Sequence, residues 1–108
     1  MAITNHERVG KALELLRDGL RPFVERELKA SLGDRWPQSV TEILNDSRLG
    51  KGKGEPTNDV AVLLVVMDRK WSEIFRRTLG KAERSFVNEL LEARKRWAHQ
   101  ETKANDAA

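Results

Sequence analysis

Val60-Ala-Val-Leu-Leu-Val-Val-Met67 is the stretch on which the fold class of this 108-residue chain depends. Taken alone, these eight apolar residues are as compatible with a buried strand as with a buried helix. The apolar pattern continues at helical spacing through Trp71 and Phe75, and no other stretch of the sequence offers a strand to pair with it. The run therefore predicts a helix, capped by Asn58 or Asp59, that lies at the centre of an all-α fold and continues as far as the Leu-Gly pair at 79–80.

A long helix is predicted before this run. It begins after the N-cap candidate Thr4 or Asn5 and carries apolar residues at three- and four-residue spacing as far as Leu28. Pro22 lacks an amide donor and crowds the carbonyl group four residues earlier. Because the apolar stripe stays in phase across this proline, we expect one kinked helix rather than two. A short helix follows from about Trp36.

The last predicted helix runs from Lys81 to about Gln100. Its expected buried face comprises Ala82, Phe86, Leu90, Ala93 and Trp97. Two segments lack apolar anchors: a flexible loop rich in glycine and lysine at 47–58 and a polar, disordered tail at 101–108. The sequence thus predicts a small helical bundle over residues 1–100, with three long helices, the first of them kinked, and one short helix.

Composition restricts the possible classes of function. The chain is 39% hydrophobic and 34% charged, which is typical of a globular protein. It has no cysteine, so disulfides, thiolate catalysis and cysteine-ligated metals are excluded. The two histidines lie at opposite ends of the chain and do not show the short spacing that is typical of metal ligands. We therefore expect no metal and no cofactor. The sequence shows no leader and no apolar run long enough to span a bilayer, so we expect a cytoplasmic protein without a membrane partner.

The basic charge is concentrated in the last third of the chain. The formal net charge is +3, whereas residues 68–103 contain ten Lys and Arg against six Asp and Glu, an excess of four. One cluster precedes His99 and consists of Arg94, Lys95 and Arg96. The other cluster consists of Arg76, Arg77, Lys81 and Arg84. Clusters of this kind can bind the phosphates of a nucleic-acid backbone.

Arg94 and His99 are the candidate reactive pair. A planar guanidinium can hold a phosphate by two hydrogen bonds, and an imidazole can transfer protons near neutral pH. Five positions on a straight helix correspond to about 140° of rotation and roughly 7.5 Å of rise, so the two side chains would not share one face. A two-fold dimer would bring them into a common cleft. The alternatives are a solvated Arg94 paired with Glu89 or Glu92, and a His99 that complements the negative end of the helix.

Several stretches, taken in order, resemble one branch of the HEPN superfamily. They are Asn5-His-Glu-Arg-Val-Gly-Lys-Ala-Leu-Glu-Leu-Leu-Arg-Asp-Gly-Leu-Arg-Pro-Phe-Val-Glu25, Trp71-Ser-Glu-Ile-Phe-Arg-Arg-Thr-Leu-Gly80, Ala82-Glu-Arg-Ser-Phe-Val-Asn-Glu-Leu90 and Ala93-Arg-Lys-Arg-Trp-Ala-His-Gln100. That branch is found at the N-terminus of large bacterial ATPases and helicases, many of them linked to phage defence. The resemblance implies a homodimer that binds RNA or single-stranded nucleic acid and cleaves RNA without a metal, with Arg94 and His99 as its catalytic pair.

The chain departs from the pattern of that branch at two places. The residue after the arginine is usually polar, such as Asn, and here it is Lys95, which favours phosphate binding over cleavage. Domains of the branch usually continue into a further helix, so we expect this chain to be part of a longer protein. Two alternatives remain: a non-catalytic dimerisation module of a larger defence ATPase or helicase, and a helical adaptor that binds only proteins.

Overall fold

The computed structural model describes residues 4–47 and 56–107 of the chain. Within those ranges the backbone forms four α-helices connected by turns and short 3-10 segments, without a β-strand. The helices are α1 (Asn5–Leu32), α2 (Trp36–Ser47), α3 (Val60–Arg69) and α4 (Lys81–Ala107). The predicted all-α class is confirmed. Most of the loop predicted for 47–58 lies outside the described residues, which resume with a 3-10 turn at Pro56–Asn58.

Local capping determines the two ends of α1. The Thr4 hydroxyl accepts a hydrogen bond of 3.1 Å from the Glu7 amide, as the capping signal predicted. The helix passes through Pro22 without a break, so one helix is formed rather than two. Its C-cap is Gly33, whose φ of 63° lies in the left-handed region that favours glycine and whose amide donates to the Lys29 carbonyl.

Helix α3 forms the centre of the bundle. The Asp59 carboxylate caps it by accepting a hydrogen bond of 2.9 Å from the Ala61 amide. Every residue from Val60 to Met67 is buried, because α3 packs against α1, α2 and α4. A helix that is apolar on all sides can only be stable in such a position. The central placement predicted for this run is confirmed.

The extent predicted for this helix is wrong, because α3 ends at Arg69 instead of continuing to Leu79. The chain then turns, and a 3-10 segment covers Phe75–Arg77. Two backbone hydrogen bonds here span five residues rather than four, one of them from the Arg76 amide to the Trp71 carbonyl at 2.8 Å. This wider turn still buries Trp71 and Phe75, which is why the apolar spacing resembled a helix.

The face predicted to be buried on α4 is wrong only at the start of the helix. Leu90, Ala93 and Trp97 are half-buried, whereas Ala82 and Phe86 are exposed. Val87, about 100° around the helix from Phe86, is buried instead. The sequence permits a buried face that contains Phe86 or one that contains Val87, because Leu90 contributes to either face. Helix α4 also extends beyond its predicted end near Gln100, while the domain boundaries stay a prediction.

Candidate functional site

Arg94 lies on the side of α4 that faces the start of α3. Its Nη2 atom is 3.7 Å from Oδ1 of Asp59, and the two side chains are 26% and 46% exposed. The carboxylate partner is therefore Asp59 and neither Glu89 nor Glu92. An ion pair with this much solvent exposure contributes at most about 1 kcal/mol to stability. It places the guanidinium group beside the Asp59 carboxylate, at the start of α3.

The residues before α3 form a polar connection to α1. The buried Thr57 hydroxyl donates a hydrogen bond of 2.8 Å to Oε1 of Glu25. Arg21 donates from Nε to the same carboxylate oxygen at 3.0 Å, and from Nη1 to the side-chain oxygen of Asn58. Each residue of the Thr57–Asp59 segment thus uses its side chain to contact a neighbouring element. These contacts anchor the segment that carries Asp59 to α1, and the Asp59 side chain contacts Arg94 on α4.

His99 is exposed and lies on a different face of α4 from Arg94. Five helical positions separate the two residues, which corresponds to about 140° of rotation. The helix continues to Ala107, so His99 is not in its last turn. The effect of a helix dipole is confined to the terminal turn, and the dipole therefore gives little reason for a histidine at this position.

Four exposed cations share one face of α4 with His99, two of them within about one turn of it and two near the start of the helix. Their positions along the helix lie within about 60° of His99 in rotation. They are Lys81, Arg84, Lys95 and Arg96, and we call this surface, together with His99, the basic face. Lys81 and His99 are about five turns, or roughly 27 Å, apart along the axis. Glu92 lies on the same side and pairs with Lys95 at 3.6 Å, so the face is not uniformly positive.

The second predicted cluster lies beside the start of α4. Arg76 and Arg77 are exposed in the 3-10 segment that precedes the helix. The Arg84 guanidinium lies 6.0 Å from the centre of the buried Trp71 ring, at the limit of a cation–π contact. The predicted cations thus occupy the basic face and the adjoining turn, and Arg94 is the one predicted site residue that faces into the bundle.

Residues 11–108 match the family of Swt1-like HEPN domains. The chain belongs to this family. The match includes the whole of α4 and therefore both Arg94 and His99. It accounts for the all-α fold and indicates an RNase-like module directed at nucleic acid. No curated protein and no solved structure matches the chain.

Two residues of this HEPN domain make contacts with α4 that the sequence did not indicate. The first is Asp59, which was predicted only as a helix cap and which contacts Arg94. The second is His6, which is half-buried and stacks on the Trp97 ring. Neither contact had a sequence signal, because both join positions that are distant along the chain. Trp97 itself is half-buried against α1, in agreement with the packing role predicted for it.

Other candidate binding features lie away from this pair. A groove of about 370 Å³ lies between α1, α2 and the 3-10 turn before α3, and Arg21, Trp36 and Pro56 contribute to its walls. It contains none of the predicted site residues. Among the described residues, no three His, Asp or Glu side chains converge to form a metal site. No helix in the described part of the chain is long and apolar enough to cross a membrane.

Proposed function

We propose that this HEPN domain binds RNA along the basic face of α4 and cleaves it without a metal, in a homodimer whose composite site combines Arg94 and His99. The observation that carries the proposal is the position of His99, which is exposed next to Lys95 and Arg96 on the helix face that also carries Lys81 and Arg84. Such a face attracts the phosphate backbone and brings it to a group that can transfer a proton.

The two site residues have complementary roles in this proposal. His99 acts as general base or acid when the ribose 2′-hydroxyl attacks the adjacent phosphate. Arg94 holds the scissile phosphate through the N–H groups of its planar guanidinium and stabilises the charge that develops there. Because the two residues occupy different faces of one helix, His99 of one protomer acts together with Arg94 of a second copy.

An exposed apolar surface on α4 supports the dimer. Phe86 is 58% exposed, and helical spacing places Ala82 and Ala93 on the same side of the helix. Aromatic side chains are enriched at protein–protein interfaces relative to the rest of the surface. Phe86 lies about 80° from Arg94 and about 140° from His99 around the helix, so a second copy of the chain that packs there adjoins the Arg94 side of α4.

The second candidate is a non-catalytic dimerisation or interaction module. Lys95, in place of the polar residue usual after the motif arginine, favours it, since binding tolerates a cation there. The same Phe86 surface would then be the functional interface, and the cations would be surface charges. A tether to a larger ATPase or helicase and a role in phage defence rest on the sequence resemblance alone.

Cleavage in the absence of metal distinguishes the two candidates. Wild type, Arg94→Ala and His99→Ala would be incubated with end-labelled RNA in excess EDTA. The proposal expects wild type to produce 2′,3′-cyclic phosphate ends, and both variants to lose nearly all of this activity. His6→Phe is the matched control, because it replaces the other histidine and keeps an aromatic ring against Trp97. Intact RNA in every sample would refute the catalytic proposal.

Binding is measured separately by fluorescence anisotropy at several salt concentrations. Removing one phosphate contact on a single strand should reduce the slope of log affinity against log salt by about 0.7. Arg96→Gln and Lys81→Gln should each show this reduction, and His99→Ala should leave the affinity nearly unchanged. Lys11→Gln, which removes an exposed cation from α1, is the control. Equal slopes for all variants would exclude the basic face as the RNA-binding surface.

A further inference from the structure

We propose that Asp59 is a positioning residue for Arg94, holding its guanidinium at the start of α3 so that the remaining N–H groups can receive a phosphate. This inference rests on the proposed function, because it assigns Arg94 to the phosphate. It rests structurally on the 3.7 Å contact between Arg94 Nη2 and Asp59 Oδ1. The sequence alone gives Asp59 only the role of a helix cap.

The Asp59 carboxylate is well placed to orient another side chain because it is itself held on two sides. Its Oδ1 atom accepts the Ala61 amide hydrogen at 2.9 Å, which fixes it to the most buried helix of the domain. The two residues before it are tied to α1, through the hydrogen bond from Thr57 to Glu25 and through the contact between Arg21 and Asn58. A short carboxylate on an anchored segment has little freedom to follow a mobile arginine. The arginine is instead held by the carboxylate.

The geometry leaves part of the Arg94 guanidinium available. The carboxylate contacts Nη2, and an arginine has five N–H donors in a rigid fork. Nη2 carries two N–H groups, one on each of the two edges of the fork, Nε/Nη2 and Nη1/Nη2. A carboxylate that contacts Nη2 on one edge therefore leaves the other edge to form a two-pronged contact with a phosphate. The Arg94 and Asp59 side chains are 26% and 46% exposed, so a ligand can approach the pair from solvent.

The two roles of Asp59 respond differently to substitution. Asn and Ser are also effective N-cap residues, so either replacement keeps the start of α3 while removing the charge that holds Arg94. If Asp59 is only a helix cap, both variants should keep the kcat and KM of the wild type. A positioning role predicts a slower chemical step in both. Because the Asp59 charge also opposes a nearby phosphate, its removal should leave KM unchanged or lower it, while kcat falls.

The first test needs no activity. Side-chain ¹⁵N relaxation of the Arg94 Nε–H group would be measured by NMR in the full chain, for wild type, Asp59→Asn and Asp59→Ser. The inference expects a lower order parameter in both variants. Glu73→Gln is the matched control, because it removes an exposed carboxylate from the 3.3 Å pair with Lys70 and leaves Asp59 intact. It should leave the Arg94 signal unchanged. An unchanged order parameter in Asp59→Asn would overturn the inference.

The second test uses RNA cleavage. The inference expects kcat of both Asp59 variants to fall by about tenfold or more, without an increase in KM, since small misplacements of a reacting group have effects of this size. An unchanged kcat in Asp59→Asn would overturn the inference even if wild type is active. Failure of wild type to cleave any RNA would count against the proposed function instead. The NMR result alone would then decide whether Asp59 holds Arg94.

Discussion

The Trp97 indole lies flat against the His6 imidazole, with ring centroids 4.7 Å apart and an angle of 10° between the ring planes. Trp97 Nε1 also donates a hydrogen bond of 2.8 Å to the His6 carbonyl oxygen. These contacts join the first turn of α1 to the part of α4 between Arg94 and His99. Val87 is the last buried side chain among those described on α4, and Trp97, ten residues later, supplies the contact with the start of α1.

Truncation of Trp97 should therefore destabilise the domain. We expect Trp97→Ala to lower the free energy of unfolding by about 2 kcal/mol, through lost apolar burial and the lost hydrogen bond. Trp97→Phe keeps a ring against His6 and should cost about 1 kcal/mol. Urea denaturation followed by circular dichroism measures both. Leu15→Ala is the control, because the Leu15 side chain is 73% exposed on α1 and should contribute less than about 0.5 kcal/mol. Equal effects of Trp97→Ala and Leu15→Ala would contradict this role of Trp97.

Two glycines within α1 provide a second test of the same contact. A Cβ added at Gly19 has no heavy atom within 4 Å, whereas one added at Gly10 would lie 3.0 Å from Cζ2 of Trp97. Gly19→Ala should stabilise the domain by about 0.5–1 kcal/mol, because alanine favours the helix. Gly10→Ala gains the same propensity but forces Trp97 to shift, so it should be less stable than Gly19→Ala by about 1 kcal/mol.

The comparison of the two glycine variants is made by thermal unfolding under identical conditions. Combining Gly10→Ala with Trp97→Phe should recover part of the difference, because the smaller ring leaves room for the added methyl group. If Gly10→Ala and Gly19→Ala are equally stabilising, the Trp97 ring is not confined between α1 and α4 in the way described.

The features that the sequence predicted correctly are those determined by neighbouring residues. The Thr4 and Asp59 caps each involve residues within three positions, and the apolar run from Val60 to Met67 can only be buried. The same local information is ambiguous in α4, where an apolar stripe containing both Phe86 and Val87 permits two buried faces. The choice between them depends on the surfaces that α1 and α3 present, which the α4 sequence does not contain.

The candidate site shows the same limit. Family resemblance indicated Arg94 and His99, and helical spacing indicated that they occupy different faces. The sequence could not indicate the contact between Arg94 and Asp59, because it depends on how α4 packs against the start of α3. It also misplaced the end of α3, because the turn that contains Trp71 and Phe75 buries its apolar residues at nearly helical spacing.

The exposed ring of Phe86 gives the most direct test of the proposed homodimer. We expect wild type to sediment as a dimer at micromolar concentration and Phe86→Asp to sediment as a monomer, because a carboxylate at the centre of an apolar interface cannot be desolvated without a partner. Leu15→Asp is the matched control, since Leu15 is an exposed apolar residue of α1 at 73% and its substitution should leave the dimer intact. Leu15→Asp should unfold near the wild-type temperature, and Phe86→Asp should do so at concentrations where wild type is monomeric, because neither side chain belongs to the core of the single chain.

In the catalytic proposal Phe86→Asp should also lose cleavage, although each chain keeps Arg94 and His99, and mixing it with His99→Ala should restore no cleavage. A monomeric wild type, or a Phe86→Asp variant that still dimerises and cleaves RNA, would show that this surface does not assemble the site.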